Sequence, residues 1–246
     1  MGILKIVALG VGDAFSDRYY SSGLWLSYEG SSIIIDCAHP IRKIMREASS
    51  TSGCDISVDN LDGVVITHLH ADHAGGLEGL GFYGYFRKNR VLPLLAHKDV
   101  LWDIWPWHLK GTMAPVCDPP DEQRTFEDFF TPVILNEQTN TPFGPFRIAC
   151  RRTVHHIPTY ALKITAGQKV FGYSSDTSFD YGLIDWLSDS DLFVHETNVA
   201  SHTPYEKLAT LPLDIRRKMR LIHYPDDFES QSSVIDIMRQ GELIRL

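Results

Sequence analysis

Three imidazoles and a carboxylate stand within six residues in the run Thr67-His68-Leu69-His70-Ala71-Asp72-His73. Neutral imidazole and carboxylate are the donors that borderline divalent metals such as zinc take. The cluster follows Val64-Val65-Ile66, whose β-branched content suits a buried strand, so its donors sit at a strand end. His68 and His70, two positions apart, point to the same side of extended backbone. Asp72 and His73 follow where the chain turns, and Gly75-Gly76 lets it turn sharply into a helix. A polar loop that is histidine-rich by accident is the bland alternative, and four donors in six residues argue against it.

A zinc centre needs three or four protein ligands per metal, so one short cluster cannot fill two coordination spheres. Three more donors end apolar strands further along. His155 follows Arg152-Thr153-Val154, Asp176 follows the run Val170–Ser175, and His223 follows Leu221-Ile222. Each has an ordinary explanation taken singly: a satisfied histidine, a helix-capping aspartate, a loop histidine. Together with the first cluster they spell HxHxDH…H…D…H.

That order resembles the metallo-β-lactamase superfamily over nearly the whole chain, from the Gly10 turn through Ile35-Asp36-Cys37 to His223. The resemblance implies an αββα sandwich of class α/β (α+β), two mixed sheets packed face to face with helices outside. It implies two divalent metal ions, zinc first, with manganese or iron able to occupy the same donors. By motif position His68, His70 and His155 would hold one metal, Asp72, His73 and His223 the other, and Asp176 would bridge them. Asp36 matches a family aspartate that supports ligands rather than binding metal.

Local signatures are similar to the ribonuclease Z branch: His155-His156-Ile157-Pro158-Thr159-Tyr160, His195-Glu196-Thr197 with its threonine one position early, and Ser201-His202-Thr203. In tRNA-processing members the interval between the third histidine and the bridging aspartate carries a long arm that grips the tRNA. Here that interval is 21 positions, filled by strand, turn and strand. The chain therefore resembles armless members acting on cyclic mononucleotides, among them anti-Pycsar proteins of phage and bacteria. The implied activity is that of a phosphodiesterase, hydrolysis of a small phosphodiester such as a cyclic nucleotide by hydroxide generated at the metals. Asp72 would orient the nucleophile, and His202 with Glu196 beside it would protonate the leaving oxygen. Rival readings are tRNA 3′ processing, lactone or thioester hydrolysis on the same metals, and a non-catalytic nucleotide-binding module.

The elements that must position these donors read as alternating strands and helices. Strands are expected at 3–9, a hairpin at 24–28 and 32–36, then 64–67, 92–96, 131–135, 146–151, 161–165, 169–173, 192–195 and 221–222. Helices are expected near 40–48, 77–86, 181–187, 204–218 and 229–240, with an aromatic helix or lid at 97–110 and a polar connection at 117–128. Strands then helix, twice over, predicts two βα halves packed sheet on sheet in a single hydrolase domain, 1–246.

The 246 residues are 43% hydrophobic, enough for a sizeable core, and carry a formal net charge of −8. No basic stripe exists for gripping a long polyanion; Arg216-Arg217-Lys218 reads as a solvated helix face. Extended nucleic acid is thus disfavoured, and a single phosphate is not. Cys37, Cys54, Cys117 and Cys150 form no CxxC and read as free thiols in a reducing compartment. No signal peptide or membrane-spanning run is visible, so a cytoplasmic enzyme is expected. Trp102, Trp105 and Trp107 suggest a homodimer contact; His39, His97, His108 and His156 carry no expected role.

Overall fold

Short apolar runs cut off by polar or glycine turns become strands wherever a neighbour can satisfy their backbone, and here they assemble two sheets. A computed structural model describes residues 2–116, 123–228 and 230–246; Cys117 and the Pro119-Pro120 part of the polar connection lie outside the described residues.

The first sheet contains β1 (Lys5–Gly10), β2 (Gly23–Tyr28), β3 (Ser31–Ile35), β4 (Gly63–Val65), β5 (Leu92–His97) and β6 (Phe130–Leu135), with β13 (Leu243–Arg245) outside β1. The second contains β7 (Thr141–Phe143), β8 (Phe146–Arg152), β9 (Tyr160–Ala166), β10 (Lys169–Tyr173), β11 (Leu192–Glu196) and β12 (Met219–Ile222), ordered β12-β11-β10-β9-β8-β7. Both sheets are mixed. β3 to β6 pair in parallel, as do β10, β11 and β12, while β1-β2-β3 and β7-β8-β9-β10 are antiparallel. From these pairings β1, β3 and β4 share one direction, and so do β8, β10, β11 and β12. Ligand crevices of such sheets form beyond the carboxyl ends of parallel strands.

One continuous apolar core joins Leu26, Ile34 and Val65 of the first sheet to Ile148, Ile164 and Phe171 of the second. Outside the first sheet lies α1 (Ile41–Ser52), which buries Ile41, Ile44, Met45 and Ala48, a stripe at helical spacing. The short α2 (Ala71–Ala74) and α3 (Leu77–Tyr83) follow β4. The far face of the second sheet is covered by α6 (Tyr181–Ser188), whose Leu183, Ile184 and Leu187 join Phe193, Met219 and Leu221 in a second cluster. The sandwich is the expected one.

Several elements differ from the sequence reading. The 97–110 segment is α4 (Lys98–Asp103), a wide π turn at Ile104–Leu109, then α5 (Lys110–Met113). Pro106 lies inside that wide turn, and its missing N–H removes a regular helical bond. The single helix expected at 204–218 is two, α7 (Tyr205–Ala209) and α8 (Leu213–Lys218), separated where Pro212 precedes the second. α8 buries no residue, so Arg216-Arg217-Lys218 is a solvated face as expected. No helix forms at 229–240 among the described residues. Instead Leu221 donates to Asp236 O, Met238 donates to Leu221 O, and Tyr224 Oη donates to Met238 O, drawing this stretch along β12. The chain then returns as β13, an edge strand that sequence reasoning missed.

Candidate metal centre

Every expected donor lies just past a strand end on the edge where the two sheets meet. Val64-Val65 continues β3's parallel pairing, so Asp36 and the 67–73 turn emerge side by side; Asp36 N donates to Val65 O at 2.8 Å. His155 follows β8, Asp176 follows β10 and His223 follows β12. The sheets are tied together there, because His223 N donates to Val11 O at 2.8 Å beyond β1. Asp36, Ser175 and His223 adopt left-handed φ of 62°, 52° and 59°, strained for non-glycine residues and concentrated around the centre. Gly76 is needed for space rather than φ: a Cβ there would stand 2.5 Å from Ala38 O.

Two donor groups result, His68 with His70, His155 and Asp176, and Asp72 with His73 and His223. In the first, His70 Nδ1 lies 3.1 Å from His68 Nε2 and 3.3 Å from His155 Nε2. In the second, Asp72 Oδ2 lies 3.2 Å from His73 Nε2 and 3.3 Å from His223 Nε2. Asp176 faces both. Its Oδ2 is 3.6 Å from His68 Nε2, and its Oδ1 is 3.2 Å from His73 Nε2 and 3.6 Å from His223 Nε2. Donors bonded tetrahedrally at about 2.0–2.1 Å stand roughly 3.3–3.4 Å apart, so these spacings suit zinc-sized coordination. Among the described residues His73 Nε2 and Asp176 Oδ1 are buried with no hydrogen-bond partner, the condition of atoms shaped around a cation.

Hydrogen bonds behind the donors set their tautomers. His73 Nδ1 donates to Asp36 at 2.8 Å, so that Nε2 is the nitrogen turned to Asp72 and Asp176. The same carboxylate accepts from Thr67 N and Oγ1 at 2.9 Å, and Thr67 Oγ1 is 3.0 Å from His68 Nδ1, so His68 too turns Nε2 inward. Asp36 is the supporting aspartate that the resemblance implied.

Burial lowers the pKa of His68 and pushes His70 down to about 4 and His155 to about 3, keeping all three neutral. For His73 and His223 burial acts the same way, but Asp176 and the neighbouring carboxylates outweigh it, raising His73 well above its ordinary value and His223 to about 9. Burial likewise opposes ionisation of Asp72 and Asp176, yet the facing imidazoles hold both below the usual carboxylate range. In the metal-free protein protons on His73 and His223 balance the carboxylates, and a divalent cation displaces them on binding.

His202 and Glu196 form a dyad at the rim. Buried Glu196 accepts from Thr177 N at 2.8 Å and from His202 Nδ1 at 2.9 Å through one oxygen. Burial lowers the His202 pKa, but Glu196 outweighs this and raises it; burial raises that of Glu196. One donor atom of His202 also falls within 4.8 Å of those of Asp176 and His223. His195 turns to the backbone: its Nδ1 donates to Glu196 O at 2.7 Å, and burial takes its pKa down to about 4.

His156, passed over in the sequence, stands with its Nε2 2.9 Å from His70 Nε2. Because His70 turns Nδ1 to the centre, its Nε2 carries the proton and His156 accepts it. Adjacency to His155 was the only signal, and it does not distinguish ligand from support. His156→Ala is expected to weaken metal binding about 10–100-fold, measured by competition with a chelator; unchanged affinity would remove His156 from the centre.

A two-sheet sandwich with these donors at its edge defines a metallo-β-lactamase-fold protein, a metal-dependent hydrolase. The chain belongs to the family described as Anti-Pycsar protein Apyc1, whose model matches residues 4–244. An Anti-Pycsar protein Apyc1 of Bacillus phage BSP38 is 30% identical over 243 residues, covering 92% of this chain and 90% of the relative. The metallo-beta-lactamase fold protein YhfI of Bacillus subtilis superposes with a TM-score of 0.78 at 18% identity, covering 99% of this chain and 100% of that one. Human tRNase Z, short form, superposes at 0.71 with 18% identity and 98% coverage of both chains. The last two likenesses establish the fold.

Proposed function

We propose that this chain is a two-metal phosphodiesterase that opens a cyclic mononucleotide. The observation that carries the reading is the Glu196–His202 dyad beside the paired donor groups. Phosphodiester hydrolysis expels an alkoxide, which a nearby imidazolium can protonate. Two features support a small substrate: β9, a turn and β10 take up the 21-position interval from His155 to Asp176, and the net charge is −8. Anti-Pycsar proteins degrade cyclic nucleotides, which agrees with this substrate class.

His68, His70 and His155 would hold one divalent ion and Asp72, His73 and His223 the other, with Asp176 shared. The ions, when bound, supply positive charge to the phosphoryl oxygens and acidify the attacking water. Asp72 orients that water through the oxygen not directed at His73 and His223. Asp36 and Thr67 keep His73 and His68 in the tautomers that present Nε2. Glu196 fixes the His202 ring and favours its protonated form, ready to deliver a proton to the departing oxygen.

The test is turnover of metal-loaded protein against cyclic mononucleotides, cyclic dinucleotides, a precursor tRNA, a lactone and a thioester. Cleavage of cyclic mononucleotides with intact tRNA is expected; acyl hydrolysis with every phosphodiester untouched would overturn the reading. His202→Ala is expected to lower kcat roughly 10²–10⁴-fold with metal content unchanged, and loss of a metal equivalent would make His202 a ligand instead.

The same reading has the chain act as a single hydrolase domain, with zinc as the metal, in the cytoplasm and as a homodimer. Cys37, Cys54 and Cys150 are free thiols, in keeping with a reducing compartment, and no helix among the described residues is long and apolar enough to cross a membrane. Trp102 and Trp107 are 66% and 82% exposed, surface that a second copy would cover; a monomer in sedimentation velocity would exclude the dimer.

A further inference from the structure

Phe15 and Val199 are 92% and 71% exposed, among the most exposed large apolar side chains of the protein. Both line one cleft of about 370 Å³ that also contains His202 and His223. That volume lies in the range of small-molecule sites. No aromatic or cationic partner contacts the Phe15 ring among the described residues. Scattered exposed apolar residues need no explanation, but two on one cleft wall beside the dyad are not scattered.

Their backbones are held while their side chains stand exposed. Asp13 Oδ1 accepts from Phe15 N at 3.0 Å, and Asp13 Oδ2 accepts from Asn198 Nδ2 at 2.9 Å. The same Asn198 amide donates to His223 O at 3.3 Å, and Asn198 Oδ1 accepts from Val199 N at 2.7 Å. One Asp13–Asn198 link thus joins the loop after β1 to the loop after β11 and ties both to His223. It also commits both hydrogens of Asn198 Nδ2, which are then unavailable to donate to the edge of a ligand. Asp227 on the same cleft is a carboxylate and repels an anion, so the phosphate belongs on the metal side.

We propose that Phe15, backed by Val199, is the platform on which the heterocyclic base of a cyclic mononucleotide stacks while its phosphate engages the centre. The inference rests on the phosphodiesterase reading above and adds how the substrate is gripped. Every nucleobase offers a π face, so a stacking platform tolerates all of them. Phe15 is a specificity residue, distinguishing nucleotides from phosphodiesters without a base, and it takes no part in proton transfer.

The experiment compares KM and kcat of wild type, Phe15→Ala, Phe15→Trp and Val199→Ser on four cyclic mononucleotides and on the abasic sugar cyclic phosphate. Phe15→Ala is expected to raise KM about tenfold for all four bases, the size of one base–aromatic stack, with kcat unchanged. The abasic compound should show no change, Phe15→Trp should restore the wild-type KM, and Val199→Ser should give a smaller rise of the same pattern. An unchanged KM, an equal loss on the abasic compound, or a rise confined to one base would overturn the platform while leaving the phosphodiesterase reading intact. A wild-type protein inert on all cyclic nucleotides would overturn both. A change in oligomeric state on Phe15→Ala with no effect on KM would assign the ring to a contact between copies and overturn the proposal.

Discussion

Asp72→Ala is expected to cut cyclic-nucleotide hydrolysis by at least about 10³-fold, since Lewis-acid charge stabilisation is worth several kcal/mol and each 1.36 kcal/mol is a decade in rate. Asp72 Oδ2 stands 3.2 Å from His73 Nε2 and 3.3 Å from His223 Nε2, so its loss leaves His73, His223 and the shared Asp176 on that side. The variant should retain one metal equivalent per chain, held by His68, His70, His155 and Asp176. Its fold should survive, because Asp72 sits on the short α2 at the rim and its partners His73 and His223 belong to the centre. Metal content by elemental analysis and turnover on the same sample provide the check. A purified variant with wild-type rate and two metals would remove Asp72 from the mechanism.

Asp36→Ala should produce the largest loss of stability among the site residues. Asp36 is fully buried and accepts from Thr67 N, Thr67 Oγ1 and His73 Nδ1, with Tyr173 Oη at 3.4 Å. Truncation leaves buried donors unpaired and His73 without its counter-charge, a change that costs roughly 3–5 kcal/mol. Its φ of 62° adds to this, because aspartate and asparagine tolerate the left-handed region better than alanine. Asp36→Asn should therefore be milder, keeping an acceptor for Thr67 while losing the charge that orients His73. Urea unfolding of metal-free protein is the clean measurement, since ligand binding adds its own stabilisation. A midpoint equal to wild type in Asp36→Ala would show that Thr67 and His73 find other partners.

Much of this was legible in the sequence because its signals are local. The 67–73 cluster reads as a metal site because four donors follow one strand directly, and strand-end placement needs only the β-branched run before it. His155, Asp176 and His223 were found from the same rule applied three more times, with a family pattern to order them. Elsewhere the local signal pointed the wrong way. Val234, Ile235, Ile237 and Met238 are spaced for a helix face, yet Leu221 and Tyr224, separate in sequence but adjacent in space, capture that backbone. The wide turn around Pro106 and the break before Pro212 follow from proline chemistry, although the aromatic and apolar pattern alone ran through them as single helices.

The sequence by itself determined the donor inventory and the kind of edge it would occupy, because ligand chemistry and strand ends are written within a few residues. Only the tertiary structure decided what His97, His108 and His156 do. It set His156 behind His70, and gave His97 the capping of α4 and His108 a bond to Ala74 O. Neighbours in sequence have the same chemistry and opposite orientations, so a residue's role depends on what the other sheet places against it. Those contacts span from 2 positions, for His97 and Asp99, to 86, for His70 and His156. The longer ones exist only once the carboxyl ends of both sheets have been packed edge to edge.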